Sequence, residues 1–306
     1  MNAQLFKRVV PMADWLPRYT KADLPGDMIA GGIVAVMLVP QAMAYAMLAG
    51  LPPQVGLYAS ILPLVAYSAL GSSRALAVGP VAIASLMTAS ALGAVVEAGS
   101  VNYVAAALIL AALSGFILLA MGIARLGVLV NFLSHPVISG FTSAAALVIG
   151  VSQLKHLLGI DVPRSGMFTD TVVAIALRLG DTNLTAAGIG ASTIVVLLFM
   201  RGPFGRLLAR LGVPAAIVTP VTKTGPLAAV VITTLTVWAL GLDGTAEVAI
   251  VGHIPAGLPP LGMPSFDTGL WADLLPAAML ISIVGFLESV SVAKALASKR
   301  RQKIDA

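Results

Sequence analysis

Repeated apolar runs, each about as long as a lipid bilayer is thick, restrict the fold of this chain more than any other feature. An α-helix of roughly 20 apolar residues can cross a hydrocarbon core of about 30 Å. The 306 residues are 58% hydrophobic and only 10% charged, whereas about 25% of the residues in soluble domains are charged. The sequence therefore predicts an all-α polytopic membrane protein and excludes a soluble globular domain.

The positions of the apolar runs predict about eight transmembrane segments. They cover residues 27–49, 55–70, 75–96, 102–124, 137–157, 184–200, 225–242 and 270–296. Of the 18 Lys and Arg residues, only Lys155, Arg164 and Arg178 fall on the predicted outer side. Because cytoplasmic loops are enriched in Lys and Arg, this bias places both termini in the cytoplasm, with the cell (inner) membrane as the expected location. The basic balance thus reflects topology, and no nucleic-acid partner is expected.

The segments between the spans divide the chain further. Residues 1–26 are predicted to be a cytoplasmic N-terminal segment, and residues 243–269 an outer loop. The segment 158–183 is predicted to be an outer loop with a short amphipathic piece from Phe168 to Leu179. The basic segment 201–224 is predicted to be a cytoplasmic linker with an amphipathic helix at 204–211. We therefore divide the chain into 1–26, 27–157, 158–242, 243–269 and 270–306.

A Gly-Pro step interrupts the third predicted span at Gly79 and Pro80. Proline suits the first position of a helix, where its missing N–H is not needed. A helix beginning there would leave the N–H groups of Val81, Ala82 and Ile83 free near the membrane midplane, at the positive end of the helix dipole. Such a helix start binds anions through the backbone. An ordinary proline kink in a packed helix is the alternative.

The first span also contains a proline, in the sequence Val39-Pro40-Gln41, and we predict a second helix break there. Backbone that is not helical is tolerated at membrane depth only where it lines a protein cavity, and interrupted helices are typical of transporters. Gln41 and Tyr45 are four residues apart, so they share one helix face and form one wall of the expected cavity. Alternatively, both side chains only bond a neighbouring helix.

Glu288 is the only carboxylate well inside a predicted span. An ionisable residue at that depth predicts a proton carrier or a cation ligand, and the hydroxyls of Ser289 and Ser291 are candidates to assist it. The alternative is a carboxylate close enough to the cytoplasmic end to pair with Lys294. No Lys or Arg lies deep in a span, so an anionic substrate would be held by backbone amides and helix dipoles.

Other kinds of site find little support in the sequence. His135, His156 and His253 have no partner at metal-ligand spacing, and the chain has no cysteine. No Ser–His or paired-Asp arrangement at matching depth suggests an intramembrane enzyme. We therefore expect no enzymatic activity, no metal and no cofactor.

Several sequence stretches, in order along the chain, resemble the signature motifs of the SulP anion permeases. This is the sulfate permease family related to the animal SLC26 carriers. The stretches run from Asp23 to Gly31, Val39 to Ala46, Leu51 to Ser60, Gly71 to Arg74, Asn131 to Phe141, Ser152 to Lys155 and Glu288 to Lys294. The match covers the chain from about residue 14 onward.

The resemblance implies a fold of two inverted seven-span repeats, with a core domain that rocks against a gate domain. Spans one to four and eight would belong to the core, and spans five to seven to the gate. Gln41 and Tyr45 would be first-span site residues, Val81 and Ala82 the amides of a half-helix, and Glu288 the carboxylate that couples to H+ or Na+. Relatives of full length are expected to form homodimers.

Family members usually continue with six more spans and a cytoplasmic STAS domain, and this chain ends at Ala306. The leading expectation is secondary active transport of an inorganic anion, most of all sulfate, by a rocking or elevator mechanism with H+ coupling. The alternatives are bicarbonate as substrate, Na+ as coupling ion, a neutral or organic solute, and a portion that is inactive alone.

Overall fold

The computed structural model describes residues 10–73, 76–96, 101–124, 126, 135–162, 168–253, 257 and 264–300. Within these ranges every regular element is helical, which confirms the all-α prediction. In chain order, the helices are α1 (Met12–Trp15), α2 (Leu24–Leu48), α3 (Pro53–Leu70), α4 (Ala82–Gly93), α5 (Val101–Ile123), α6 (His135–Leu158), α7 (Phe168–Leu177), α8 (Leu184–Arg201), α9 (Pro203–Arg210), α10 (Ala215–Lys223), α11 (Gly225–Leu240), α12 (Leu242–Thr245) and α13 (Thr268–Arg300). Short 3-10 turns follow α1 and α7.

Five helices in the described part of the chain are long and apolar enough to cross a membrane. They are α2, α3, α8, most of α5 and the portion Thr268–Ala293 of α13. Helices α10 and α11 would add a sixth span, bent by 50° at their junction. Helix α4 and the segment Ala146–Leu158 of α6 are apolar but shorter. Membrane-length helices at the predicted first, second, fourth, sixth and eighth spans are thereby confirmed, while the total of eight stays a prediction.

The first compact unit comprises Met1–Thr20, Ala42–Ala146 and Pro255–Ala306. Its core lies where α13 packs along α5 and α4, and its fully buried side chains include Leu92, Tyr103, Ile109, Leu274 and Ser282. The Ser282 hydroxyl donates to the carbonyls of Ala278 at 2.7 Å and Ser114 at 3.2 Å, which satisfies a polar group between two apolar helices. Burial of apolar side chains along this seam stabilises the unit.

Helices α2 and α3 cross very closely within this first unit. A Cβ added at Gly56 would lie 2.0 Å from the carbonyl oxygen of Ala42, so only glycine fits at the crossing. Small residues commonly permit such close approach of membrane helices. The end of α2 is held by Tyr103 of α5, whose buried hydroxyl donates to the Ala49 carbonyl at 2.8 Å. The crossing and this hydrogen bond together fix the C-terminal part of α2.

The second compact unit comprises Lys21–Gln41 and Leu147–Ile254, so the boundary between the units falls inside α2. In this unit α8 packs against α9, α10 and α11. Asn183 connects three segments: its N–H donates to Leu158 at 3.0 Å, its amide NH2 donates to Ala246 at 2.7 Å, and its side-chain oxygen caps α8 by accepting from Ala186 at 3.0 Å. An Asn at this position satisfies one of the free N–H groups of a helix start.

The structure corrects the predicted break in the first span. Helix α2 runs without interruption from Leu24 to Leu48, with Pro40 inside it. A proline removes one N–H donor and disturbs one carbonyl, and the long apolar run on both sides of Pro40 keeps the helix continuous. A different interruption was not predicted: α10 ends at Lys223 and α11 begins at Gly225, at an angle of 50°. Both amphipathic pieces exist as helices, namely α7 and α9.

Candidate functional site

In the described part of the third predicted span, residues 76–96, the structure has one short helix. Residues 76–81 are not helical, and α4 covers Ala82–Gly93. A helix of this length spans about 18 Å, since each residue adds about 1.5 Å, and therefore cannot cross the hydrocarbon core of about 30 Å. The prediction that the span is broken beside Gly79 and Pro80 is confirmed, and the alternative of a kinked continuous helix is wrong.

The start of α4 carries hydrogen-bond donors that the helix itself does not use. Val81 is the N-cap residue, with extended backbone (φ −127°, ψ 146°) and no side-chain hydrogen bond to the helix. The first bond of this helix runs from the Ser85 N–H to the Val81 carbonyl, at 3.0 Å. Among the described residues, none accepts a hydrogen bond from the N–H groups of Ala82, Ile83 or Ala84. Three half-buried donors therefore converge at the positive end of a helix dipole.

Helix α4 begins one residue later than the sequence predicts, and this adds the N–H of Ala84 to the predicted donors. Pro80 precedes the N-cap instead of occupying the first helical position, so Val81 is the cap and Ala84 joins the donors. The extended conformation of Val81 ends the non-helical segment, and the helix can begin only after it. Ser85, which is buried and lies in the first turn, was also missed. The signal for it was a hydroxyl within one turn of the expected helix start.

Gln41 and Tyr45 lie one turn apart on the continuous helix α2. Gln41 is exposed and Tyr45 is half-buried, and each already interacts with another residue. Ala42 and Ala46, which neighbour them on the helix surface, are buried. The two polar side chains thus share one face, as predicted, but this face belongs to an unbroken helix. That they form one site with the start of α4 stays a prediction.

Glu288 lies in α13, the helix that packs against α4 and α5. Its side chain is half-buried, as is that of Ser291, whereas Ser289 is exposed. Residues three apart on a helix are neighbours on its surface, and adjacent residues point about 100° apart. Helix geometry therefore places Ser291 beside Glu288 and Ser289 on another side of α13. The coupling role of these residues stays a prediction.

Comparison with known proteins identifies the family to which these elements belong. The model of the sulfate permease family matches residues 24–306, almost the whole chain. The chain belongs to this family. It is 39% identical to the chloroplastic sulfate transporter 4.1 of Arabidopsis thaliana over 297 residues, which cover 96% of the chain and 42% of that protein.

Solved structures agree with this membership of the sulfate permease family. The structure of the murine anion transporter Solute Carrier 26 family member A9 in the inward-facing state matches with a TM-score of 0.85 and 25% identity, over all of this chain and 51% of that one. The transmembrane domain of the bicarbonate transporter BicA from a cyanobacterium shares the fold, with a TM-score of 0.78 and 22% identity, over 94% of this chain and 68% of that one.

Two conclusions follow for this member of the sulfate permease family. Its all-helical architecture is that of a transporter family of multi-pass membrane proteins, and its family members are transporters and not enzymes. The chain spans about half the length of the relatives it matches. Within that half lie the two elements described above, the short helix α4 with its free donors and the carboxylate of α13.

Proposed function

We propose that this chain takes part in secondary active transport of an inorganic anion, with sulfate as the substrate. The observation that carries the proposal is the start of α4, where the N–H groups of Ala82, Ile83 and Ala84 have no acceptor among the described residues. Backbone donors at a helix start bind oxyanions well. The names of the curated relatives support sulfate among the oxyanions.

The absence of Lys and Arg from the middle of the predicted spans suits a carrier. An anion held by neutral amides and the dipole of one helix forms no ion pair with the protein, and we propose that this suits reversible binding. We propose that α4 moves with its unit as a rigid body in a rocking or elevator motion, and that Gln41 and Tyr45 form a second wall of the anion site.

Removal of a single donor tests the α4 site. Proline is tolerated at the first position of a helix, and the extended conformation of Val81 suits the residue before a proline, so Ala82→Pro removes one N–H without breaking α4. A hydrogen bond to a charged group is worth about 1.5–3 kcal/mol, so we expect sulfate affinity to fall roughly 10- to 150-fold. Sulfate uptake and sulfate-dependent thermal stabilisation in proteoliposomes would measure it.

Leu184→Pro is the matched control, because Leu184 is the exposed first residue of α8 and also follows a residue with extended backbone. It should leave the sulfate affinity unchanged. Equal losses in both variants, or none in either, would contradict a site at α4. If the 306-residue chain takes up no sulfate at all while binding persists, it is a portion that is inactive alone.

We further propose that Glu288 couples transport to H+, with Ser291 as its neighbour. A neutral Gln at this position cannot exchange a proton, so Glu288→Gln should remove the dependence of sulfate uptake on an imposed pH gradient while sulfate binding is retained. Ser289→Ala is the control, since Ser289 is exposed and points away. If uptake by the Gln variant still follows the pH gradient, or follows a Na+ gradient in the parent protein, proton coupling through Glu288 is wrong.

Bicarbonate is the second candidate substrate, because three neutral donors also fit a smaller oxyanion. Competition separates the two: excess bicarbonate should reduce sulfate uptake only weakly if sulfate is the substrate. If the chain takes up bicarbonate in a Na+-dependent manner and takes up little or no sulfate, it is a bicarbonate carrier of the same fold.

A further inference from the structure

Helix α9 (Pro203–Arg210) is a short amphipathic helix that packs on its own unit by one side only. Phe204 contacts Phe199 of α8, with ring centroids 5.8 Å apart. Gly205 lies against α10, where an added Cβ would come within 3.3 Å of the Thr222 methyl group. Helix α9 therefore packs on α8 and α10 through Phe204 and Gly205, and its opposite side faces outward.

The end of α9 is fixed by a glycine in the left-handed conformation. Gly212 has φ +77°, its N–H donates to the Ala209 carbonyl at 3.2 Å, and the Val213 N–H donates to the Leu208 carbonyl at 3.1 Å. This pair of bonds is the Schellman motif, which satisfies the last carbonyls of a helix. The helix is therefore held at both ends, and its outward face has a defined orientation.

Two leucines and two arginines alternate on that outward face. Leu207 is 46% exposed and Leu211, which follows the last residue of α9, is 71% exposed, one turn apart. Arg206 and Arg210 are also exposed and one turn apart. Since successive residues turn by about 100°, each leucine lies beside an arginine. The surface is a narrow apolar stripe with a basic stripe along its edge, which we call the α9 face.

The positive charge of the α9 face is not neutralised nearby. In the part of the chain that the structure describes, Arg201, Arg206 and Arg210 form no ion pair. The sequence has no Asp or Glu between Asp181 and Asp243, while Lys223 adds a further positive charge. A complementary partner must therefore bring negative charge and accept apolar side chains next to it.

We propose that the α9 face binds the headgroup region of an anionic phospholipid leaflet, with Leu207 and Leu211 inserted among the acyl chains and Arg206 and Arg210 on the phosphates. Helices that lie in the membrane interface combine an apolar face with basic residues in this way. Each Arg near an anionic surface strengthens binding about fivefold, and the attraction falls off within a Debye length. Phospholipid composition would then stabilise the segment that joins α8 to α11.

The test uses the purified full chain in detergent, titrated with phosphatidylglycerol or phosphatidylcholine in mixed micelles. Bound lipid is counted by native mass spectrometry, and the melting temperature is followed in parallel. We expect phosphatidylglycerol to be retained and to raise the melting temperature more than phosphatidylcholine does. Arg206→Gln and Arg210→Gln should each weaken phosphatidylglycerol binding about fivefold, and the double variant roughly 25-fold. Raised salt should reduce the difference between lipids.

Matched variants keep the result interpretable. Arg206→Lys with Arg210→Lys retains the charges and should bind phosphatidylglycerol within about twofold of the parent. Arg178→Gln removes one charge from the segment after α7 together with a hydrogen bond to the Asp161 carbonyl, so it should lower the melting temperature but leave the preference for phosphatidylglycerol unchanged. Leu207→Ala should weaken binding of both lipids alike. Each arginine variant is compared with its own phosphatidylcholine binding, so a loss of fold, which lowers the binding of both lipids, is distinguished from a loss of phosphate contacts.

Three outcomes would overturn the proposal. Equal retention of the two lipids by the parent protein would mean that Arg206 and Arg210 do not distinguish an anionic headgroup from a zwitterionic one. Protection by inorganic phosphate as strong as that by phosphatidylglycerol would indicate a site for a free anion. If Arg178→Gln weakens phosphatidylglycerol binding as much as Arg206→Gln or Arg210→Gln does, the effect comes from the overall charge of the protein and not from the α9 face. None of these results bears on anion transport through α4.

Discussion

The first and third predicted spans both have a proline inside an apolar run, but only the third is interrupted in the structure. Helix α2 continues through Pro40 from Leu24 to Leu48. The third span is non-helical through Pro80, and helix begins only at Ala82. The free backbone donors that carry the proposed anion site are therefore found in one of the two spans, and a proline alone does not produce them.

The residue before each proline explains the difference. Val39 precedes Pro40, whereas Gly79 precedes Pro80. Glycine and proline are less favourable in a helix than alanine by about 1 and about 3 kcal/mol respectively, so the pair costs about 4 kcal/mol over two positions. In addition, only the short stretch after Ser73 precedes Gly79, too little to repay the cost of starting a helix there. Pro40 follows several helical turns.

The same distinction holds elsewhere in the chain. Each Gly-Pro pair of the sequence lies at a helix boundary: one before α4, one at the start of α9 and one at the start of α11. By contrast, the prolines inside α2, α3, α10 and α13 follow other residues; they are Pro40, Pro63, Pro220 and Pro276. In this protein the Gly-Pro pair, and not proline by itself, marks an interrupted helix.

The double variant Gly79→Ala, Pro80→Ala tests whether the Gly-Pro pair causes the break before α4, and its expected effect is the largest. It removes the helix penalty of about 4 kcal/mol, so we expect α4 to extend backwards and its three N–H groups to be taken up by the preceding carbonyls. Sulfate binding should be lost, and hydrogen exchange of the amides of residues 81–84 should slow. Fast exchange together with normal binding would show that the break does not depend on the Gly-Pro pair.

The second variant tests what keeps α2 in place near its proline. Gly56→Ala would bring a Cβ to 2.0 Å from the Ala42 carbonyl oxygen, so α2 and α3 must separate. We expect the free energy of unfolding to fall by about 3 kcal/mol, which is the upper end of the usual range for overpacking. A lower melting temperature in detergent would measure it. Gly115→Ala in α5 is the control, because an added Cβ there meets nothing within 4 Å, and its stability should stay level or rise slightly.

The smallest effect is expected for Pro40→Ala. Because α2 is already helical through this position, alanine only supplies an N–H to the carbonyl of Val36 and removes the ring. Stability should stay level or rise by no more than about 3 kcal/mol, and sulfate binding should be retained. A loss of binding as large as that of the Gly79/Pro80 double variant would contradict the contrast between the two spans and restore a functional break in α2.

The apolar runs, the motifs and the Gly-Pro pair were enough to predict the all-helical membrane architecture, the family and the place of the interruption in the third span. Apolar length, charge asymmetry and the helix penalty of Gly79-Pro80 are local quantities, so they can be read without knowing what packs where. The amphipathic α9 was found for the same reason, since its pattern needs only the period of a helix.

Other features were decided only by tertiary structure. The continuity of α2 through Pro40 and the close crossing of α2 and α3 at Gly56 are visible only in the structure. The start of α4 at Ala82, one residue later than predicted, follows from the extended conformation of Val81. The local Gly-Pro pair therefore marks the interrupted span, whereas the exact helix start and the close approach of α2 to α3 are seen only in the folded chain.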